Sequence, residues 1–208
     1  MEIQEFTLVL EAPKGINTNL EDALFEAGCD DALLSYRGGI AYLDFDREAE
    51  NLETAIISAI DQVESVGLGL KVKRVEPSDL VTSAEIGRRL NRSRQSIQQL
   101  ISGSRGVADF PLPIAGVTSK TMLWSWQEVA KWFLDKGKLE DENVYLKAMT
   151  MKQINESLEM RQSESQLKNI RRITKILSKR RGGYSGQADP PFRSKVTPMG
   201  MAVISSRL

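Results

Sequence analysis

The chain has 208 residues, 28 Lys/Arg against 28 Asp/Glu, no histidine and one cysteine. Without histidine it lacks the commonest acid–base group and metal ligand. A single thiol excludes an intrachain disulfide and any cysteine-based metal cluster. The zero net charge hides two opposed parts: residues 1–80 hold 6 Lys/Arg and 17 Asp/Glu (net −11), residues 81–208 hold 22 and 11 (net +11). Such asymmetry points to a basic part for nucleic acid and an acidic part, repelled by phosphate, for something else.

The acidic part has regular patterning. Residues 5–11 alternate Phe6, Leu8 and Leu10 with Thr7 and Val9, as a strand does. Asn19 is placed to cap a helix through Leu20, Ala23, Leu24 and Ala27 that ends at Gly28. Strands are predicted at 32–37 and 40–45, around the hairpin signal Gly38-Gly39. Asn51 caps a longer helix with Ala55, Ile56, Ala59, Ile60 and Val63 on one side, and residues 70–75 form a last strand. The order β-α-β-β-α-β is that of a ferredoxin-like split βαβ sandwich over residues 1–77, within an α+β chain. The fold alone does not give function, and a partner-binding or dimerising role is the expectation here. Asp44 and Asp46 alternate on one strand and read as a solvated acidic edge more readily than as a metal site.

Residues 78–137 are more informative. Thr82 and Glu85 have the spacing of a capping box, and Val81 and Ile86 that of a hydrophobic staple. A first helix then runs over about 83–90, with Ile86 and Leu90 buried. Asn91 and Arg92 make the turn, Asn tolerating the left-handed conformation. Ser93 caps a second helix whose apolar stripe is Ile97, Leu100 and Ile101. Its opposite side carries Gln95, Gln99 and Ser102, flanked by Gln98, with Arg94 in the first turn. Gln pairs bidentately with adenine and Arg with guanine. Ser93 and Ser96 suit phosphates near the helix start, and Arg92 and Arg105 are further cations for the backbone. The plainer alternative is that Gln and Ser only solvate an outer face.

Gly103 and Gly106 end this helix, and Phe110, Pro111 and Pro113 impose an extended path. Two short strands are predicted near 112–117 and 121–124, with Ser119 and Lys120 at the tip. Lys120 is placed for phosphate or for solvent alone. Ser125 and Glu128 form a second capping box, with Trp124 and Val129 as its staple. Trp126, Val129, Trp132 and Phe133 recur at helical spacing and read as core, and Gly137 is the stop.

From residue 138 a helical extension is predicted to about 181. Glu140, Asp141 and Glu142 suit its start. One stripe is Leu146, Met149 or Met151, Ile154 and Leu158. A second is Leu167, Ile170, Ile173, Ile176 and Leu177. Both are fair partner or dimer faces, with the polar run 161–166 between them. Lys168, Arg171, Arg172, Lys175, Lys179, Arg180 and Arg181 make the second segment basic, for DNA backbone or for solvent. Residues 182–208 read as a flexible Gly/Ser/Pro-rich tail, with 199–204 apolar enough to dock as a strand or hook.

The segment VTSAEIGRRLNRSRQSIQQLI, followed by FPLP and LWSWQEVAKWF, resembles the helix-turn-helix modules of bacterial excisionase-like and MerR-like winged-helix regulators. The resemblance covers about a quarter of the chain. It implies double-stranded DNA binding through the helix from Arg94, with the hairpin as a wing, although many such modules have a more basic reading helix. The leading expectation is a sequence-specific transcriptional regulator, a homodimer that pairs two half-sites by its two-fold symmetry. The alternative is an antitoxin-like protein that neutralises a protein partner, through the acidic domain or the tail, and represses its own operon. An accessory DNA-bending factor is a third possibility.

Enzyme chemistry is not expected. Gly67 and Gly69 lead into a strand rather than a phosphate-binding helix start, and Cys29 has no cation beside it in sequence. No cofactor, metal or membrane partner is expected, and the chain reads as cytoplasmic, without a signal or an apolar span.

Overall fold

A computed structural model describes residues 1–11, 20–104, 109–162 and 164–181. Asn19, Arg105, Gly106 and the segment 182–208, including 199–204, lie outside the described residues. The chain is mixed α+β: a four-stranded antiparallel sheet, a two-stranded one and seven helices among the described residues. Compact unit 1 spans residues 1–164 and unit 2 begins at Ser165.

The larger sheet is built from β1 (Glu2–Glu11), β2 (Ala32–Arg37), β3 (Ile40–Ala49) and β4 (Lys71–Glu76), in the order β2-β3-β1-β4. The period of two puts Phe6, Leu8 and Leu10 on the buried face, opposite Phe45, Leu43 and their neighbours. Phe6 and Phe45 stack with ring centroids 5.1 Å apart. Helices α1 (Leu20–Glu26) and α2 (Leu52–Ser65) contribute to the same apolar cluster: Leu20 and Leu24 from the first, and Leu52, Ala55, Ile56, Ala59, Ile60 and Val63 from the second. Asn51 Oδ1 accepts from Thr54 N at 2.9 Å, satisfying one orphan donor at the start of α2. Gly38 and Gly39 both have positive φ, which a two-residue turn matching the strand twist requires. Strands β1 and β3 extend beyond the sequence expectation, to Glu2 and Ala49, because they pair with each other from Glu2–Ala49 to Val9–Tyr42.

One charged side chain enters this face. Arg47 lies on β3 opposite Gln4 and is buried. Its guanidinium donates to both carboxylate oxygens of Asp31, at 2.7 and 2.8 Å, and to Ser58 Oγ at 3.0 Å. It also lies over the Phe45 ring at 4.9 Å. This bidentate geometry is the one in which a desolvated ion pair holds. Burial pushes the Cys29 thiol up despite the Arg47 charge beside it. The cation that sequence spacing hid therefore does not make a reactive thiolate.

The second apolar cluster gathers Val81, Ile86, Ile97, Leu100, Phe110, Trp124, Trp126, Val129, Ala130 and Phe133. Its elements are β5 (Leu80–Val81), α3 (Ser83–Arg89), α4 (Arg94–Ile101), β6 (Trp124–Ser125) and α5 (Trp126–Asp135). Both staples are buried here, Val81 with Ile86 and Trp124 with Val129. Each capping box forms by half. Thr82 Oγ1 accepts from Glu85 N at 3.2 Å, and Ser125 Oγ accepts from Glu128 N at 3.3 Å. The Glu85 carboxylate turns away to Arg88 and Arg89, whose charges outcompete a backbone N–H. At the end of α5, Lys138 N donates to Phe133 O and Gly137 N to Leu134 O, with Gly137 at φ 61°, a Schellman stop.

The strands expected at 112–117 and 121–124 are not formed as such. A single bridge, Ala115 with Leu123, closes the hairpin. Trp124 and Ser125 instead pair with Val81 and Leu80. Pro111 and Pro113 lack the donors a continuous ladder needs, and burial of the Trp124 ring draws the second arm toward β5.

Helix α6 (Asn143–Gln162) joins the two clusters. Met151 and Leu158 enter the first, with Ile154 packed against it, and Ala148 enters the second. The first stripe of the extension is therefore consumed inside the chain rather than offered to a partner. It uses Met151 as its buried methionine, and Leu146 is exposed. The same helix seals one sheet edge. Asn155 pairs with both N and O of Val75, at 2.7 and 2.9 Å, and Gln162 and Arg161 donate to carbonyls of β4. Arg161 also forms a forked pair with Glu64, and Glu64 accepts from Val72 N. The connection between the clusters is pinned as well: Asp79 accepts from Trp126 N and Gln127 N and lies 3.7 Å from Lys152.

Unit 2, described by itself, contains all of α7 (Glu164–Arg181) but its first residue, with Ile170, Ile173, Ile176 and Leu177 exposed along it. None of the helices is long and apolar enough to cross a membrane, among the described residues.

Candidate nucleic-acid interface

The turn between α3 and α4 is a second Schellman motif, with asparagine in place of glycine. Asn91 takes φ 50°, Arg92 N donates to Gly87 O at 2.7 Å, and Asn91 N donates to Arg88 O at 3.3 Å. Gly87 is required by the close approach that follows. A Cβ there would lie 2.7 Å from the Arg92 carbonyl oxygen. Ser93 Oγ then accepts from Ser96 N at 3.1 Å and starts α4. Ile97 and Leu100 are buried beneath the pair, so α4 is held by one face and presents the other.

That other face matches the sequence pattern. Ser93, Arg94, Gln95, Gln98 and Ser102 are exposed, and Ser96 and Gln99 half-buried. They are not equally free. Gln98 Nε2 donates to Ser83 Oγ at 2.9 Å, tying α4 to the start of α3 and leaving its carbonyl oxygen outward. Ser102 Oγ shares a hydrogen bond with Ser104 Oγ at 2.7 Å. Arg92 donates to the Lys138 carbonyl at 3.2 Å and lies over Phe133 at 5.1 Å, so it bridges the turn to the end of α5. The ion pairs of this region engage Arg88, Arg89, Lys131 and Lys136. Arg94 and Lys120 are in none of them among the described residues. Arg105 lies outside the described residues.

The supports are electrostatic as well as apolar. Glu85 is held below the usual carboxylate range by hydrogen bonds from Arg88 and then Arg89. Arg89 lies over Trp126 at 5.1 Å and donates to Ser78 O, fixing α3 against α5. Asp109 is likewise lowered, chiefly by Lys136, with Trp132 Nε1 also donating to it. Trp132 and Phe110 make edge contacts with Phe133, the residue at the centre of this aromatic cluster. The aromatics are therefore packed in the cluster rather than laid out for base stacking.

Lys120 is exposed on a closed loop. Ser119 Oγ donates to the carbonyls of Gly116 and Thr121, and a Cβ on Gly116 would lie 2.0 Å from the Thr121 oxygen. Sequence reasoning missed one property of this hairpin. It exposes Leu112 (82%), Val117 (70%), Ile114 and Met122, so the hairpin that carries Lys120 at its tip is apolar along its arms. The apolar residues spaced through PLPIAGV carry that signal in the sequence.

Elsewhere, Asp44 and Asp46 are exposed on β3, and Asp44 accepts from Thr7 Oγ1 at 2.7 Å. No group of three metal-ligating side chains is present among the described residues. No protein-family model, curated protein or solved structure matches the chain.

Proposed function

We propose that the chain is a sequence-specific double-stranded DNA-binding regulator that reads the major groove with α4. The observation that carries this reading is the start of α4. Arg94 and Gln95 project from a helix whose opposite face is locked into a buried core. In this reading residues 78–137 are a winged helix-turn-helix module of the excisionase-like or MerR-like kind, with a short hairpin as wing. Residues 1–77 are a ferredoxin-like split βαβ domain, a reading supported by the antiparallel order β2-β3-β1-β4 and the two helices packed on its buried face. Gln95 and Gln99 read base edges, Arg94 reads guanine or binds phosphate, and Ser93, Ser96 and Lys120 hold the backbone.

Selection from a randomised duplex pool at two salt concentrations tests this. The expected outcome is an enriched motif whose affinity falls with salt. Gln95→Ala and Gln99→Ala should each cost about 1–3 kcal/mol on that motif and little on random DNA. Equal losses on both DNAs would remove base reading from these residues.

A second reading, an antitoxin-like partner of another protein, draws support from α7, whose isoleucines form an exposed face among the described residues of unit 2. Pull-down with α7 intact and with Ile170 and Ile173 changed to Lys separates the readings. A partner lost only with the second chain would favour protein neutralisation.

A further inference from the structure

The two edges of the four-stranded sheet are treated differently. On β4 the backbone groups are occupied by Asn155, Gln162, Arg161 and Glu64. On β2 no described segment pairs with the outer side. Proteins commonly blunt an open edge with proline, lysine or a bulge. The strand ALLSYR has none of these, and its register with β3 runs unbroken from Ala32–Phe45 to Arg37–Ile40. Leu33 and Tyr36 are 66% and 63% exposed.

We infer that β2 is the interface for a second copy of this chain, joined antiparallel across a two-fold axis at Leu34 to continue the sheet. The hairpin fixes which groups are free. The two-residue turn makes Arg37 and Ile40 the hydrogen-bonded closing pair, and alternation then directs Arg37, Ser35 and Leu33 toward β3. Asp46 N donating to Asp31 O at 3.2 Å continues that odd-numbered set. The N–H and C=O groups of Ala32, Leu34 and Tyr36 therefore point outward.

A two-fold axis perpendicular to the sheet keeps each side chain on its own face, so residues of like parity must meet. Leu34 opposite Leu34 satisfies this. It also sets Ala32 opposite Tyr36 in both directions, so all three outward residues of each copy find partners. The charges agree with that register. Asp30 and Asp31 stand at the start of β2 and Arg37 at its end, so each Arg37 meets the other copy's Asp30–Asp31 corner. Asp30 and Arg37 are both exposed, and neither has an ion-pair partner among the described residues. An interface of this kind is isologous and closes at two copies. It stands on the sheet alone and does not depend on DNA binding.

Sedimentation equilibrium of the full chain without DNA, over about a hundredfold concentration range, tests it. The wild type should dimerise. Tyr36→Pro, which removes an outward N–H without touching the β3 ladder, should weaken the dimer at least about tenfold. Arg37→Asp should weaken it similarly, and adding Asp30→Arg to Arg37→Asp should restore it. Circular dichroism confirms that each variant folds, and Arg37, being exposed, gives a test even if the proline variant does not. A wild type that stays monomeric, a dimer indifferent to Arg37→Asp, or a double variant no tighter than the single one overturns the proposal.

Discussion

The sheet region and the helical module around α3, α4 and α5 solve different problems. The sheet spends its one deeply placed cation on internal order: Arg47 reaches Asp31, Ser58 and the Phe45 ring and presents nothing outward. The helical module has several cations, and it commits Arg89 and Arg92 to the scaffold while leaving Arg94 exposed. The difference teaches that a count of basic residues overstates an interface. What matters is which guanidiniums the fold has left unengaged.

The largest expected effect tests whether α6 makes the two regions one cooperative unit. Phe133 is fully buried, and Phe133→Ala should cost about 3–5 kcal/mol. All three tryptophans lie between residues 124 and 132, so their fluorescence reports the helical module alone, while far-ultraviolet dichroism reports both regions. Coincident thermal transitions are expected in wild type and variant. Two separated transitions would break the shared-helix account. Arg47→Ala is the counterpart in the sheet. It leaves Asp31 with its partner gone, a loss of about 3 kcal/mol, moderated because Asp31 is partly exposed to water. Denaturant titration should show the lower stability; on the proposed reading, DNA affinity is unchanged after correction for the unfolded fraction.

Gly87→Ala should cost about 1–3 kcal/mol, because the added carbon meets backbone rather than a flexible side chain. On the proposed DNA-binding reading it should also weaken binding by displacing α4. Unaltered stability would mean that the α3–α4 turn relaxes freely. The smallest effect is the acid response of α3. The Glu85 carboxyl lies lower in the folded chain than unfolded, through Arg88 and then Arg89. Its contribution is therefore present above the ordinary glutamate value, about 4.3, and is lost as pH falls through the folded value. Comparing wild type with Glu85→Gln should show a stability difference near neutral pH that shrinks on acidification. A constant difference would assign the role of Glu85 to packing.

The helical module was the more legible of the two regions, because its signals are local. Thr82, Ser93 and Ser125 each cap the helix that follows them, Asn91 takes the left-handed turn, and Gly137 ends α5. Each rests on side chains within a few residues of one another, so spacing suffices. The candidate interface was legible to the same extent. Ser93, Arg94, Gln95, Gln98 and Ser102 fall on an exposed face because Ile97 and Leu100 fix the opposite one. Spacing gave no sign that Arg92 is bound to Lys138 and Phe133, residues brought near only by the packing of α5.

By itself the sequence determined the alternation that buries Phe6, Leu8 and Leu10, the apolar side of α2, the Gly38-Gly39 turn and the α3–α4 corner. Tertiary structure decided the rest. It chose Met151 over Met149, sent Trp124 to β5 instead of a longer hairpin, placed Arg47 beside Asp31 and Cys29, and closed β4 with Asn155 while β2 has no outer partner among the described residues. The physical reason is range. Caps and turns satisfy backbone groups within one helical turn, whereas each of the latter choices pairs residues between 16 and 80 positions apart, or depends on the register that such pairs impose.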